Sequence, residues 1–426
     1  MKNKIGCIVM TLVLLTSLMS FNNIFSKEVV AATNPVGITW MNNSNYFPLG
    51  ANYAWQDWDT DFSDNGWANR FTTIKATFDD MSSKGVHAVR WWVFCNSYAS
   101  PNFSAPGREG LCTGLSINWV KHMKEAADYA NSKNMKIYFT LSSFDIARNN
   151  NAWNHSSIID DLAVRKSYID NAIKPIVQSL SDNPGVMGWD VVNEPEWMIS
   201  STDNGGQNDP TLTPFPLSTV RSYVKDMVDC IHLYAKQPVS VGSASMKWIS
   251  TSGGGQYDFW SGLGLDFYDI HWYDWMTPWF NPLTMPASGL KLDKPVIIGE
   301  MMPDTLNSSL KMTHEEILNG LVKNGYSGYL LWAWTDATTN CKDKTSPYFN
   351  NFKALHPELN IDKASSTALK GDLNNDGKVN ACDYVILKKS LVTSTSSKDL
   401  SVWDLNSDGI IDLKDYILLK EIILKT

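Results

Sequence analysis

Eight short apolar runs, separated by stretches of helical periodicity, govern what the first three quarters of this chain can become. The runs cover residues 47–53, 86–94, 135–141, 186–192, 238–242, 266–273, 295–299 and 328–334. Helix-patterned segments fall between several of them, among them 120–131, 157–180 and 218–235. A strand that is apolar on both faces must be covered on both, which a parallel sheet wrapped in helices achieves. Eight such strands in one region predict a closed (β/α)8 barrel rather than a sandwich or bundle. A doubly wound open sheet is the alternative, but no Gly-rich phosphate loop follows any of the runs. In a barrel the chemistry gathers at the C-terminal strand ends, and the polar residues here concentrate at those ends.

Two of the runs deliver a glutamate. The fourth continues as Trp189-Asp190-Val191-Val192-Asn193-Glu194-Pro195, and Pro195 stops the ladder, leaving the Glu194 carboxyl at the rim. The seventh reads Val296-Ile297-Ile298-Gly299-Glu300 and places Glu300 in the same way. Unpaired glutamate is rarely buried, so an apolar strand ending in Glu twice demands a partner or a function. Carboxyls paired across a cleft are the apparatus of glycoside hydrolysis, one as acid/base and one as nucleophile or base. Two solvated strand-end carboxylates are the plain alternative. Composition favours a sugar ligand, since Trp occurs 18 times beside 16 Tyr and 16 Phe. Sugar rings have apolar C–H faces and polar edges that suit amphipathic aromatic side chains. A net charge of −8 argues against nucleic acid, whose phosphates need a basic footprint.

The C-terminus carries an internal repeat. Asp372-Leu373-Asn374-Asn375-Asp376-Gly377 recurs as Asp404-Leu405-Asn406-Ser407-Asp408-Gly409. Each copy places oxygen side chains at loop positions 1, 3, 5, 9 and 12 with Gly at 6, the spacing that wraps a loop around a hard cation. The expected calcium ligands are Asp372, Asn374, Asp376, Asn380 and Asp383 in one loop, with the carbonyl of Lys378. In the other they are Asp404, Asn406, Asp408, Asp412 and Asp415, with the carbonyl of Ile410. Position 12 is Asp where an EF-hand has Glu. An amphipathic helix is expected after each loop, over 384–391 and 416–424. So short a segment buries little apolar surface, so two calcium ions are expected to contribute to its folding.

At the other end, Lys2 and Lys4 precede an apolar run from Ile5 to Met19, and small residues follow at Val30-Ala31-Ala32. This reads as a secretory signal peptide over residues 1–32. Its removal takes away three Lys and one Glu and moves the net charge from −8 to −10, giving an acidic secreted product. Of the five remaining cysteines, Cys95 and Cys112 flank one Pro/Ser/Gly-rich segment and are either bridged or two buried thiols. The expected domains are residues 33–357, a linker over 358–370, and the repeat over 371–426.

These residues carry two resemblances. Asn193-Glu194-Pro195 on the fourth strand and Glu300 on the seventh resemble glycoside hydrolase clan A, most closely family 5. Arg90 on the second strand, His271 and Tyr273 on the sixth, and Trp332 or Trp334 on the eighth fit the same pattern. The resemblance implies a TIM barrel that hydrolyses β-1,4-linked polysaccharide with retention and needs no cofactor for catalysis. Glu194 would be the acid/base and Glu300 the nucleophile, with Arg90 and Tyr273 holding Glu300 ionised. Asn193 would grip the sugar 2-hydroxyl, and His271 would hold Glu194 or a sugar hydroxyl. Trp334 is the favoured floor beneath the reacting sugar, with Trp332 the other candidate. Many family 5 cellulases carry a His after strand three, where this chain reads Thr140-Leu141-Ser142-Ser143-Phe144-Asp145. β-Mannan is therefore placed ahead of β-glucan as substrate, so an endo-mannanase is expected ahead of a cellulase. A non-catalytic carbohydrate-binding barrel would require one carboxyl to be missing. The tail resembles a type I dockerin, the small helical calcium-binding module that plugs secreted enzymes into a cohesin-bearing scaffoldin. It implies an extracellular, cellulosome-associated enzyme.

Overall fold

In the computed structural model every residue of eight parallel strands is buried, which is why both faces of each run had to be apolar. The structure describes residues 37–41, 44–149, 154–207, 209–302, 308–335, 341–361, 370–373, 379–392, 400–406 and 408–425. The expected signal segment over 1–32 lies outside these residues. The strands are β1 (Leu49–Asn52), β2 (Ala88–Trp92), β3 (Lys136–Thr140) and β4 (Val186–Asn193), then β5 (Val239–Ser243), β6 (Tyr268–Trp272), β7 (Val296–Met301) and β8 (Tyr329–Leu331). They pair in the order β6-β7-β8-β1-β2-β3-β4-β5, and β5 closes the barrel on β6 through Asp269↔Gly242.

Two register shifts shape the rim. Between β6 and β7 the pairing slips after Ile270, so that His271 comes level with Glu300 rather than with Gly299. Between β4 and β5 it slips between Asp190 and Asn193. Bulges of this kind re-aim side chains at barrel rims. Below the rim, the lower barrel is filled by Ala88, Tyr138, Met187, Phe267, Ile297 and Leu330. An N-terminal hairpin of Ile38–Thr39 and Asn45–Tyr46 packs into this cluster. Trp40 donates to the carbonyl of Val186, and the Tyr46 hydroxyl to that of His87.

Helices pack around the sheet where the periodicity placed them at Trp119–Ser132 and Leu217–Tyr234, and a further helix, Asp64–Ser83, lies between β1 and β2. The stretch expected as one helix over 157–180 is instead Ser157–Asp160, Leu162–Tyr168, a π-helical turn Ile169–Ile173, and Lys174–Ser179. Pro175 explains the wide turn: it has no N–H to give, and its ring crowds the carbonyl four residues back. Asp161 restarts the helix by accepting from the backbone of Ala163 and Val164. After the helix Cys341–Leu355 the barrel's packing runs on to the buried Leu359 and Ile361, and Phe47 N–H donates to Asn360. Residues 358–361, expected as linker, therefore belong to the barrel. Cys95 and Cys112 are separate buried thiols, not a bridge.

In the tail, helices Ala381–Val392 and Leu413–Lys425 share a small core of Leu387, Leu405 and Leu419. Tyr384 and Tyr416 stack across it with ring centroids 4.2 Å apart. Each helix begins three residues before the expected start, which puts Asp383 and Asp415 in first turns. Among the described residues no helix is long and apolar enough to cross a membrane.

Candidate active site

Glu194 ends β4 in the left-handed conformation (φ 45°, ψ 53°), which a non-glycine residue adopts where its surroundings enforce it. Three contacts do so here. Its N–H donates to the Gly242 carbonyl at 2.7 Å, Trp197 Nε1 donates to Oε2 at 2.8 Å, and His271 Nδ1 lies 2.7 Å from Oε1. Opposite, Glu300 accepts from Arg90 Nη1 on Oε1 at 2.6 Å and from the Tyr273 hydroxyl on Oε2. One oxygen from each carboxyl and a ring nitrogen of His271 all lie within 4.8 Å of one another. The register slip in β6 is what brings His271 between them.

Arg90 is the hub beneath the pair. It is fully buried, and all three guanidinium nitrogens are committed. Nε and Nη2 donate to Asp190, Nη2 also to Asn193 Oδ1 at 2.8 Å, and Nη1 to Asn52 as well as Glu300. Asp190 is itself saturated by Thr140 and the Gly242 N–H. Because Arg90 only donates, it turns the Asn193 amide oxygen toward itself and leaves the NH2 group for the cleft.

The two carboxyls are electrostatically unlike. Burial pushes Glu194 up to about 7, with the Trp197 donor and Arg90 opposing and Asp145 and Asp190 adding to the rise. Burial also raises Glu300, but His271, Arg90 and Tyr273 pull it back. Glu300 alone of the two is hydrogen-bonded to a fixed cation, so the proton of the pair resides on Glu194. Burial pushes His271 down to about 4, leaving a neutral imidazole that orients Glu194 without competing for charge.

The cleft above these groups has a volume of about 510 Å³. Trp55, Trp58, Trp92 and Trp332 wall one side as a set of edge-on and tilted rings with centroids 4.8–6.2 Å apart. Phe144, Asp145, Arg148, Trp197 and Trp275 also line it. A second pocket of about 240 Å³ adjoins at Trp197 and Trp275 and continues to Lys247, Trp248 and Trp279.

Of the expected residues, Arg90, Asn193, Glu194, His271, Tyr273, Glu300 and Trp332 are brought together. Trp334 is not. It is buried in the outer core, its Nε1 donating to Asp80, and it cannot floor the cleft. Residues two apart share a face only while the chain stays extended, and β8 ends at Leu331, before either tryptophan. Trp91 is core, while its neighbour Trp92 lines the cleft. The Asp145–Arg148 ion pair and Glu196 were not foreseen as parts of the site. Glu196 is buried two residues beyond Glu194 and accepts from Ser243, the Ala244 N–H and Trp260, which anchors the turn that carries Trp197.

In the tail, the second repeat curls as its spacing requires. Asp404 accepts from the Asp408 and Gly409 N–H groups, and Gly409 takes φ 84° at the sharp turn. Asp415, fully buried, accepts from the Leu405 and Asp412 N–H groups, and Asp383 does the same for Leu373 and Asn380. The side chains at the repeated ligand positions are all oxygen donors, the chemistry a hard divalent cation takes. Asn374, Asp376 and Lys378 lie outside the described residues.

Comparison with known proteins agrees with this geometry. The family model "Cellulase (glycosyl hydrolase family 5)" matches residues 44–338, and "Dockerin type I domain" matches 370–424. A mannan endo-1,4-beta-mannosidase of Mytilus edulis is 27% identical over 332 residues, covering 70% of this chain and 86% of its own. One from Cryptopygus antarcticus is 26% identical over 357 residues, covering 78% and 91%. The X-ray structure of the beta-mannanase from the blue mussel Mytilus edulis superposes with a TM-score of 0.65 at 26% identity, over 76% of this chain and 97% of the other.

Proposed function

Because the chain belongs to glycosyl hydrolase family 5 and carries a type I dockerin domain, we propose that it is an extracellular, cellulosome-borne endo-β-1,4-mannanase. In this reading Glu194 is the acid/base and Glu300 the nucleophile of a retaining double displacement. The observation that carries it is that one oxygen of Glu194 lies within 4.8 Å of one oxygen of Glu300, so the two carboxyls face each other at close range. Retaining sites hold them about 5–5.5 Å apart, whereas inverting sites need about 6.5–9.5 Å to admit a water.

The first step uses the protonation difference between the two acids. Glu300, held by Arg90 and Tyr273, attacks the anomeric carbon while Glu194 gives its proton to the departing glycosidic oxygen. Once the leaving group has gone, Glu194 takes a proton from water, and that water breaks the glycosyl–Glu300 bond. Asn193 offers its NH2 to the sugar 2-hydroxyl, a contact that strengthens as the oxocarbenium-like transition state forms. Trp332 is the aromatic floor. The pocket lined by Trp197, Lys247 and Trp248 extends the cleft on the Glu194 side, where the leaving group departs.

The two relatives named as mannosidases support mannan over glucan, as does the absence of a His after β3. The tail binds two calcium ions through the oxygen ligands of its repeated loops and docks on a cohesin. The segment 1–32 acts as signal peptide and directs secretion, and the catalytic and docking domains are separated by a linker.

The test is turnover of the purified enzyme on mannan, glucan and xylan. Mannan should be cleaved internally and fastest, and Glu194→Gln and Glu300→Gln should each lose on the order of 10³ or more in kcat. Faster turnover of glucan would reassign the substrate, and a variant keeping a tenth of the activity would refute the residue roles.

A further inference from the structure

Asp269 lies in the barrel interior beneath the reacting pair, and the two-step hydrolysis does not use it. It is 1% exposed on β6, two residues before His271, so both side chains share one face of the strand. The sheet makes room for it with glycine. A Cβ at Gly299 on β7 would lie 2.0 Å from Oδ1 and 2.4 Å from Oδ2, so only glycine leaves the carboxyl its space there. Neither carboxyl oxygen meets a well-formed hydrogen-bond partner among the described residues; the Tyr138 hydroxyl from β3 lies beside it, itself without one. A buried ionised carboxylate left in that state would be costly, since charge in a dry interior must be paired or solvated.

A cation stands close by, but its donors are taken. Arg90 gives Nε and Nη2 to Asp190 and Nη1 to Glu300. The charged and titratable groups around Asp269 are Arg90 from β2, Tyr138 from β3, Asp190 from β4 and Glu300 from β7, with His271 on its own strand. That is one cation among three acids, and the other two hold it at 2.6–2.7 Å.

We infer that Asp269 is an uncharged carboxylic acid in the working enzyme and serves as a positioning residue, leaving Arg90 to Asp190 and Glu300. Burial drives its proton affinity well above that of an ordinary carboxyl, with Asp190 and Glu300 adding to the effect and Arg90 and the nearby Tyr138 hydroxyl opposing it. When hydroxide removes that proton, water leaves and a third carboxylate competes for Arg90. The hydrogen bond that orients Glu300 is then weakened from below.

The consequence for stability has a definite sign. A carboxyl whose folded pKa is raised contributes its full stability only below the unfolded value and loses it as pH rises toward the folded one. The test is Asp269→Asn, with Asp269→Ser as a second neutral variant, both in the full chain. Three readouts are taken: kcat/KM near pH 6, melting temperature from about pH 5 to 9, and infrared absorption of protonated carboxyls. The expected Asn variant keeps kcat/KM within about threefold of the parent. It gains melting temperature over the parent progressively as pH rises, and lacks one protonated-carboxyl band that the parent shows. A loss of about 100-fold at that pH, a stability difference independent of pH, or an unchanged infrared spectrum would overturn the inference. Failure of both neutral variants to fold would overturn it too, by showing that the charge is required. The rate arm rests on the hydrolase reading; the stability and infrared arms do not, so an inactive parent would sink that reading alone.

Discussion

Trp197 shows how one side chain sets the working range of the acid. Its Nε1 donates to Glu194 Oε2 and so favours the ionised form, against the burial that pushes Glu194 up to about 7. An acid catalyst works only while it holds its proton, so kcat/KM should fall as pH rises through about 7. Trp197→Phe removes the donor and should move that alkaline limb upward by roughly half a unit to one unit, whatever it does to the rate. A pH–rate profile of both enzymes checks this, and a limb that stays in place would show that Glu194 does not set it. At this scale the sequence carried the residues whose position follows from strand ends. Asn193, Glu194 and Glu300 were legible because an apolar strand terminating in polar residues has few places to put them. Glu196 was not, because a carboxyl beside Glu194 looks solvated until Ser243, Ala244 and Trp260 are seen to surround it. Trp334 was expected in the cleft because the eighth apolar run was carried to 334, past the end of β8 at Leu331.

Elements were the most legible level, since strands buried on both faces announce themselves as continuous apolar runs. The break at Ile169–Ile173 went unforeseen because periodicity does not register the local cost of Pro175. Another feature invisible to pattern is His314, at the start of the helix His314–Lys323. Thr313 and Glu316 cap that helix as a reciprocal box, while the His314 ring is buried against Tyr348 and Phe349. Neither ring nitrogen finds a hydrogen bond among the described residues, and burial pushes the imidazole down to about 3. A helix N-terminus also disfavours positive charge. Below the unfolded value of about 6.5 the unfolded chain binds a proton that the folded chain refuses, so stability falls as pH drops. At pH 5 this one group should cost about 2 kcal/mol. Denaturant unfolding of His314→Phe at neutral and acid pH should show a smaller acid loss than the parent. Equal losses would mean that the ring is protonated in the fold.

On the scale of the whole molecule, two domains of different physical character share one chain. The barrel is held by a large apolar core, whereas the tail has, among the described residues, three fully or nearly buried leucines and two fully buried aspartates. Each repeated loop carries several carboxylates in a short span of sequence, and these repel one another until a cation neutralises them. A chelator should therefore unfold the tail and release a bound cohesin while leaving hydrolysis by the barrel largely intact. Circular dichroism of the tail's helices and activity of the full enzyme, each with and without chelator, separate the two effects. A tail that kept its helicity and its partner without calcium would contradict the metal-dependent folding proposed for it. The central claim concerns the barrel: two facing carboxyls with oxygens within 4.8 Å, one protonated and one held ionised by Arg90, make a retaining hydrolase. Proton NMR of the first product, recorded before the anomers equilibrate, tests it most directly. The account predicts that the new reducing end first appears as the β-anomer; an α-anomer formed first would contradict it.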